Sequence, residues 1–118
     1  GFGLTIAEAM FSGKPVITTG YSGNMDFTTD QNSLLVDYQL VPVQMNYPYQ
    51  YSKGEMWAEP DIEQAGEYMQ KLLKDTKFAS TLAEKGQELI RRSLSIEAMG
   101  ERYKNRLNTI FQEKFIGL

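Results

Sequence analysis

Gly1-Phe2-Gly3-Leu4-Thr5-Ile6-Ala7-Glu8-Ala9-Met10-Phe11-Ser12-Gly13-Lys14-Pro15-Val16-Ile17-Thr18 reads as loop, helix, stop and strand, and that order decides the fold. Gly1 and Gly3 give a turn whose backbone can approach a ligand with no Cβ in the way, and Leu4 to Ser12 are good helix formers. Gly13 suits the left-handed residue just past a helix end, and Pro15 forbids continuation. Val16-Ile17-Thr18-Thr19 has the β-branched composition of a buried strand.

Glu8 is the one charge on a helix otherwise built from Leu4, Ile6, Ala7, Ala9, Met10 and Phe11. That setting predicts a buried carboxylate, which needs hydrogen-bond donors from protein or from ligand hydroxyls. The helix start adds a second element. Free N–H groups at Gly3, Leu4 and Thr5 and the positive end of the helix dipole suit an anion. A phosphate at the tip and a diol such as ribose one turn deeper describe a nucleotide-shaped site. Structural readings stand beside it: two glycines before a helix are common, and a lone Glu can pair with a neighbouring Lys. A dinucleotide fingerprint is excluded, since Ile6 stands where the third glycine of G-x-G-x-x-G belongs, and there is no G-x-x-x-x-G-K-[ST] loop.

Gly1-Phe2-Gly3-Leu4, Glu8-Ala9-Met10 and Gly13-Lys14-Pro15-Val16-Ile17, followed by Ser22-Gly23-Asn24-Met25-Asp26-Phe27, resemble the donor-site segment of retaining GT-B glycosyltransferases of the group 1 (family 4) class. The resemblance is dense over Gly1 to Val36 and weak beyond. That family's segment is E-G-F-G-L-x-x-x-E, with a glutamate at each end; Glu8 matches the second, and Gly1 follows directly on the position of the first. The resemblance implies that Glu8 holds the ribose hydroxyls, and that Gly1, Phe2, Gly3, Leu4 and Thr5 present backbone to the donor sugar and diphosphate. It implies transfer of a sugar from a nucleotide diphosphate sugar to an acceptor hydroxyl with retention, without a bound metal or cofactor. It further implies that residues 1–118 are the C-terminal part of a nucleotide-sugar-binding domain, truncated on its N-terminal side, whose acceptor is bound by a separate N-terminal domain. Such a piece is expected to be inactive alone and, through open sheet edges, to self-associate. The alternatives are a sugar-nucleotide epimerase or phosphorylase of the same fold, and a non-catalytic nucleotide-sugar-binding module.

Composition sets the bounds. With 118 residues, 42% hydrophobic and 23% charged, the chain allows one ordinary globular core. The net charge of −3 argues against a nucleic-acid partner. Charge is uneven: Gly1 to Ile90 hold 6 basic and 12 acidic residues, Arg91 to Leu118 hold 6 and 3. A basic C-terminal stretch admits a peripheral membrane contact, although a solvated face is the commoner outcome. With no Cys and no His, disulfides, thiolate metal sites and imidazole bases are excluded. No apolar run approaches the roughly 20 residues needed to span a bilayer, and no signal-peptide pattern is present, so a cytoplasmic protein is expected, with membrane association left open.

Downstream, Gly20 to Asn24 is turn-forming, and Met25 to Thr28 suggests one helical turn capped by Ser22 or Asn24, with Asp26 in a structural capping role. Ser33-Leu34-Leu35-Val36 reads as a second strand. From Asp37 to Glu59 no period persists, and Tyr38, Tyr47, Tyr49, Tyr51 and Trp57 suggest a long aromatic loop anchored by Trp57. Three helices follow. Asp61 and Gln64 form a capping-box pattern, Asp75-Thr76 is a break, and Ser95 caps the last helix. Stripes at Ile62, Ala65, Met69 and Leu72, at Phe78, Leu82 and Leu89, and at Ile96, Met99, Tyr103, Leu107 and Ile110 are expected in the core, with Gly86 at a close contact. The expected architecture is α/β: a partial doubly wound, Rossmann-like domain of GT-B type, with two short parallel strands followed by a helical C-terminal part.

Overall fold

The computed structural model describes residues 1–43 and 54–116, and its architecture is mixed α/β. Helix α1 (Leu4–Phe11) leads to β1 (Ile17–Thr19), a 3₁₀ turn (Ser22–Asp26) and β2 (Leu34–Val36). β1 and β2 pair in parallel, with Ile17 opposite Leu34 and Thr19 opposite Val36. The stop signals act as the sequence predicts. Gly13 has φ +67, and its N–H donates to the Met10 carbonyl, closing α1.

The parallel pair needs a crossover, and residues 20–33 supply it around a buried polar knot. Asn24 Nδ2 donates to the Thr19 carbonyl at 3.0 Å and to Thr28 Oγ1 at 3.3 Å, while Thr28 Oγ1 donates to the Asn24 carbonyl at 2.8 Å. Asn32 Nδ2 donates to the Phe27 carbonyl, and the Thr29 N–H donates to Asn32 Oδ1. Every buried side-chain polar atom among the described residues has a partner, as burial without water demands.

The expected long loop is corrected at both ends. Tyr38–Pro42 is strand β3 and Met56–Pro60 is β4, paired antiparallel from Tyr38 opposite Pro60 to Pro42 opposite Met56. Neither strand shows a clean alternation of burial, because the ribbon is largely exposed on both faces, so period-2 patterning had nothing to enforce it. Trp57 is exposed on β4 opposite Val41, so it is not the expected anchor. Tyr47, Tyr49 and Tyr51 lie outside the described residues.

α2 (Ile62–Lys74), α3 (Thr76–Ser93) and α4 (Ile96–Phe111) follow, with a π-helical turn at Gln112–Ile116. Asp61 and Ser95 cap where the sequence puts them, and Asp75, expected only as a break, caps α3: the Asp61, Ser95 and Asp75 side chains accept from the N–H groups of Gln64, Ala98 and Phe78 respectively. The box at Asp61 is half-made. Gln64 turns its amide away to clasp Asp37, accepting from its N–H and donating to Oδ2, which ties the start of the ribbon to α2.

The core joins Ala7 and Met10 of α1, Val16, Phe27 and Ile90 of α3, with Ile6, Ala9, Leu89 and Leu94 against it. Gly86 makes the close contact expected of it: a Cβ there would lie 3.0 Å from Met10 Cε and 3.3 Å from the Asn32 carbonyl oxygen. Two expected stripes are corrected. Ile62 and Met69 of α2 are exposed, as are Ile96, Tyr103 and Leu107 of α4, while Met99 and Ile110 are half-buried. The reason is that α4 meets chiefly α3 and the π-helical turn that follows it, which leaves Ile96, Tyr103 and Leu107 to solvent.

Candidate functional site

Two turns converge at the start of α1. Gly3 is its N-cap, in the left-handed region at φ 87 and ψ 46, a conformation that penalises any Cβ. A Cβ on Gly3 would also meet Asn24 Cβ at 3.3 Å. From the other side, a Cβ on Gly23 would run into the Gly1 carbonyl oxygen. Gly23 is therefore required where backbone packs on backbone, and Gly3 by its left-handed φ with the side chains of Asn24, Ile6 and Phe27 close around it. Phe2 lies across the seam with its ring 5.0 Å from that of Phe27, and Ser22 is held at φ 71, a strained conformation for a residue with a side chain.

The first backbone bonds of α1 run from Ile6 and Ala7 N–H to the Gly3 carbonyl, which leaves the N–H groups of Leu4 and Thr5 without an intrahelical acceptor. Glu8 lies one turn on, about 6 Å along the axis from Leu4. The expectation that Glu8 is buried is corrected: it is exposed. α1 buries Ala7 and Met10, with Ile6 and Ala9 beside them, and that turns Leu4, Glu8 and Phe11, at positions i, i+4 and i+7, to the opposite face. Water can solvate the carboxylate there, so it needs no protein partner.

Glu8 stands at the edge of a groove of about 610 Å³ between α1, the end of α3 and the start of α4, walled by Phe2, Leu4, Phe11, Ile90, Leu94 and Met99. It is the one charged residue of the lining. Gln87 Nε2 donates to the Phe11 carbonyl at 2.9 Å, fixing the end of α1 on α3, and the Arg91 guanidinium lies 5.4 Å from the Phe11 ring centroid.

The structure thus brings Gly1, Phe2, Gly3, Leu4, Thr5 and Glu8 together at one end of α1, beside the turn at Gly23. It does not use Ser22 or Asn24 as caps, since the 3₁₀ turn has Tyr21 at its N-cap position with no side-chain bond. Asp26 ends that turn with an exposed side chain. The groove walls Ile90, Leu94 and Met99 were not foreseen as site residues, because an apolar residue at helical spacing reads as core. Among the described residues no cluster of Asp and Glu is arranged to hold a metal ion. No family model, no curated protein and no solved structure matches this chain.

Proposed function

We propose that this chain is the donor-binding portion of a retaining GT-B glycosyltransferase, which moves a sugar from a nucleotide diphosphate sugar to an acceptor hydroxyl. The observation that carries the reading is the seam at α1. A left-handed Gly3 packed on Asn24, and Gly23 packed on Gly1, fix the turn at the helix tip, where the Leu4 and Thr5 N–H groups lack intrahelical acceptors, with Glu8 one turn further on. In this reading the diphosphate sits against the Leu4 and Thr5 N–H groups, whose dipoles also stabilise the charge that develops when the sugar–phosphate bond breaks. Glu8 accepts hydrogen bonds from the two ribose hydroxyls, and the groove beside it gives the nucleoside an apolar wall. The acceptor hydroxyl attacks from a separate domain, and positioning of the two substrates supplies much of the rate. The finer assignment of the fold, to a Rossmann-like half of a GT-B enzyme, rests on the same residues.

Titration calorimetry with UDP-glucose, GDP-mannose and UDP-N-acetylglucosamine tests the reading. One of these donors is expected to bind, and Glu8→Ala to weaken it roughly 3- to 10-fold, a charged hydrogen bond discounted for an exposed carboxylate. Gly3→Val, which puts a β-branched side chain at φ 87, is expected to abolish binding. Donor affinity unchanged by Glu8→Ala would overturn the ribose assignment, and no binding of any donor would overturn the function.

A further inference from the structure

Helix α4 is an amphipathic helix whose apolar side is open to solvent. Ile96 is 87%, Tyr103 66%, Leu107 63% and Phe111 54% exposed, and Phe111 stacks on Phe115 with ring centroids 5.4 Å apart. These residues share one side of the helix, and the charges around them are ordered. At 3.6 residues per turn, Lys104 and Arg106 lie about 80° to either side of the Ile96 direction and so border the apolar arc on both edges. Glu101, Arg102, Asn105, Asn108 and Thr109 occupy the opposite side, and Glu97 stays in the first turn, where an acid suits the dipole. Lys114 follows beside Phe115. The remainder of the chain has the opposite sign, with 12 acidic and 8 basic residues over Gly1 to Ser95, against 3 acidic and 4 basic from Ile96 onward.

We propose that α4 is an interfacial anchor that lies in the plane of an anionic lipid surface, with Ile96, Tyr103, Leu107 and Phe111 in the headgroup–acyl boundary. Lys104 and Arg106 extend sideways to lipid phosphates while their methylene stems cover apolar surface. Long cations on both edges of an apolar arc are the charge pattern that such a surface rewards. The acidic body of the chain is repelled by the same lipids, which sets the orientation: α4 down, the body away. The helix lies on the bilayer, since no helix among the described residues is long and apolar enough to cross one. This inference is independent of the donor site.

The experiment is co-sedimentation of the full chain with phosphatidylcholine vesicles, with and without phosphatidylglycerol, at low and high salt. The chain is expected to bind only the vesicles that contain phosphatidylglycerol, and to release as salt rises. Lys104→Gln with Arg106→Gln is expected to weaken partitioning roughly 25-fold, about five-fold per cation. Leu107→Asp should lower it by at least about ten-fold with unchanged circular dichroism, because the replaced side chain is exposed. Equal partitioning into both vesicle types, or into neither, would overturn the proposal. So would a concentration-dependent dimer by light scattering that Leu107→Asp abolishes, since a second copy would then cover the stripe.

Discussion

Helices α3 and α4 are of similar length, carry apolar residues at the same helical spacing, and start from side-chain caps of the same kind, at Asp75 and Ser95. Yet α3 buries Leu82, Ala83, Gly86 and Ile90, while α4 buries nothing fully. The difference lies in what meets each stripe. α3 buries Ala83 and presents Gly86, small enough for α1 and the crossover to come within van der Waals distance, and Gln87 reaches over to the Phe11 carbonyl at the end of α1. α4 has a glycine too, but Gly100 has only open space where a Cβ would go. A periodic stripe specifies a face, and only complementary shape on a neighbour turns that face into core.

The strongest way to break the comparison is to remove a core side chain from one helix interface and an equivalent one from the other. Met10, fully buried under α3, should cost about 2–5 kcal/mol when replaced by Ala, while Leu107→Ala on α4 should stay within about 0.5 kcal/mol. Urea unfolding followed by circular dichroism would read both, and similar losses would mean that α4 is packed after all. A smaller effect is expected in the crossover. Asn24→Ala strips the Thr19 carbonyl and Thr28 hydroxyl of a buried partner, at a cost of about 1–3 kcal/mol in the same assay. The finest distinction is between the two glycines. Gly100→Ala should raise the helical stability of α4 by about 0.8–1.0 kcal/mol, visible as slower amide exchange there, because nothing opposes the propensity gain. Gly86→Ala should show no such gain, since its Cβ presses on Met10 Cε and the Asn32 carbonyl. A gain of the same size at both positions would remove Gly86 from the list of packing determinants.

The candidate site divides along the same line. The turn chemistry was legible: Gly3 at φ 87 and Gly13 at φ +67 are positions where glycine is the residue of choice, and a helix placed between them follows. The burial of Glu8 was not legible. An apolar helix with one acid has several ways to orient its faces, and the choice fell to Met10, whose side chain occupies the space that Gly86 leaves open. That rotation carried Glu8 out to the rim of a groove instead of into the interior. The β3 and β4 ribbon was missed for a related reason. Its pairing is made by backbone hydrogen bonds between exposed strands, and such bonds leave no hydrophobic signature in the side chains.

What the sequence by itself determined was local. The helix starts at Asp61 and Ser95, the break at Asp75-Thr76, the stop at Gly13 and Pro15, and the short strands Ile17–Thr19 and Leu34–Val36 all follow from backbone torsions and hydrogen bonds within a few residues. What only the tertiary structure decided was which apolar faces found partners: α1 rotated onto α3, the Gly1 and Gly23 turns brought into contact, and the stripe of α4 left to solvent. Those outcomes depend on the shape of surfaces distant in sequence. Burial stabilises only when two such surfaces close without voids, and periodicity along one helix carries no record of the other.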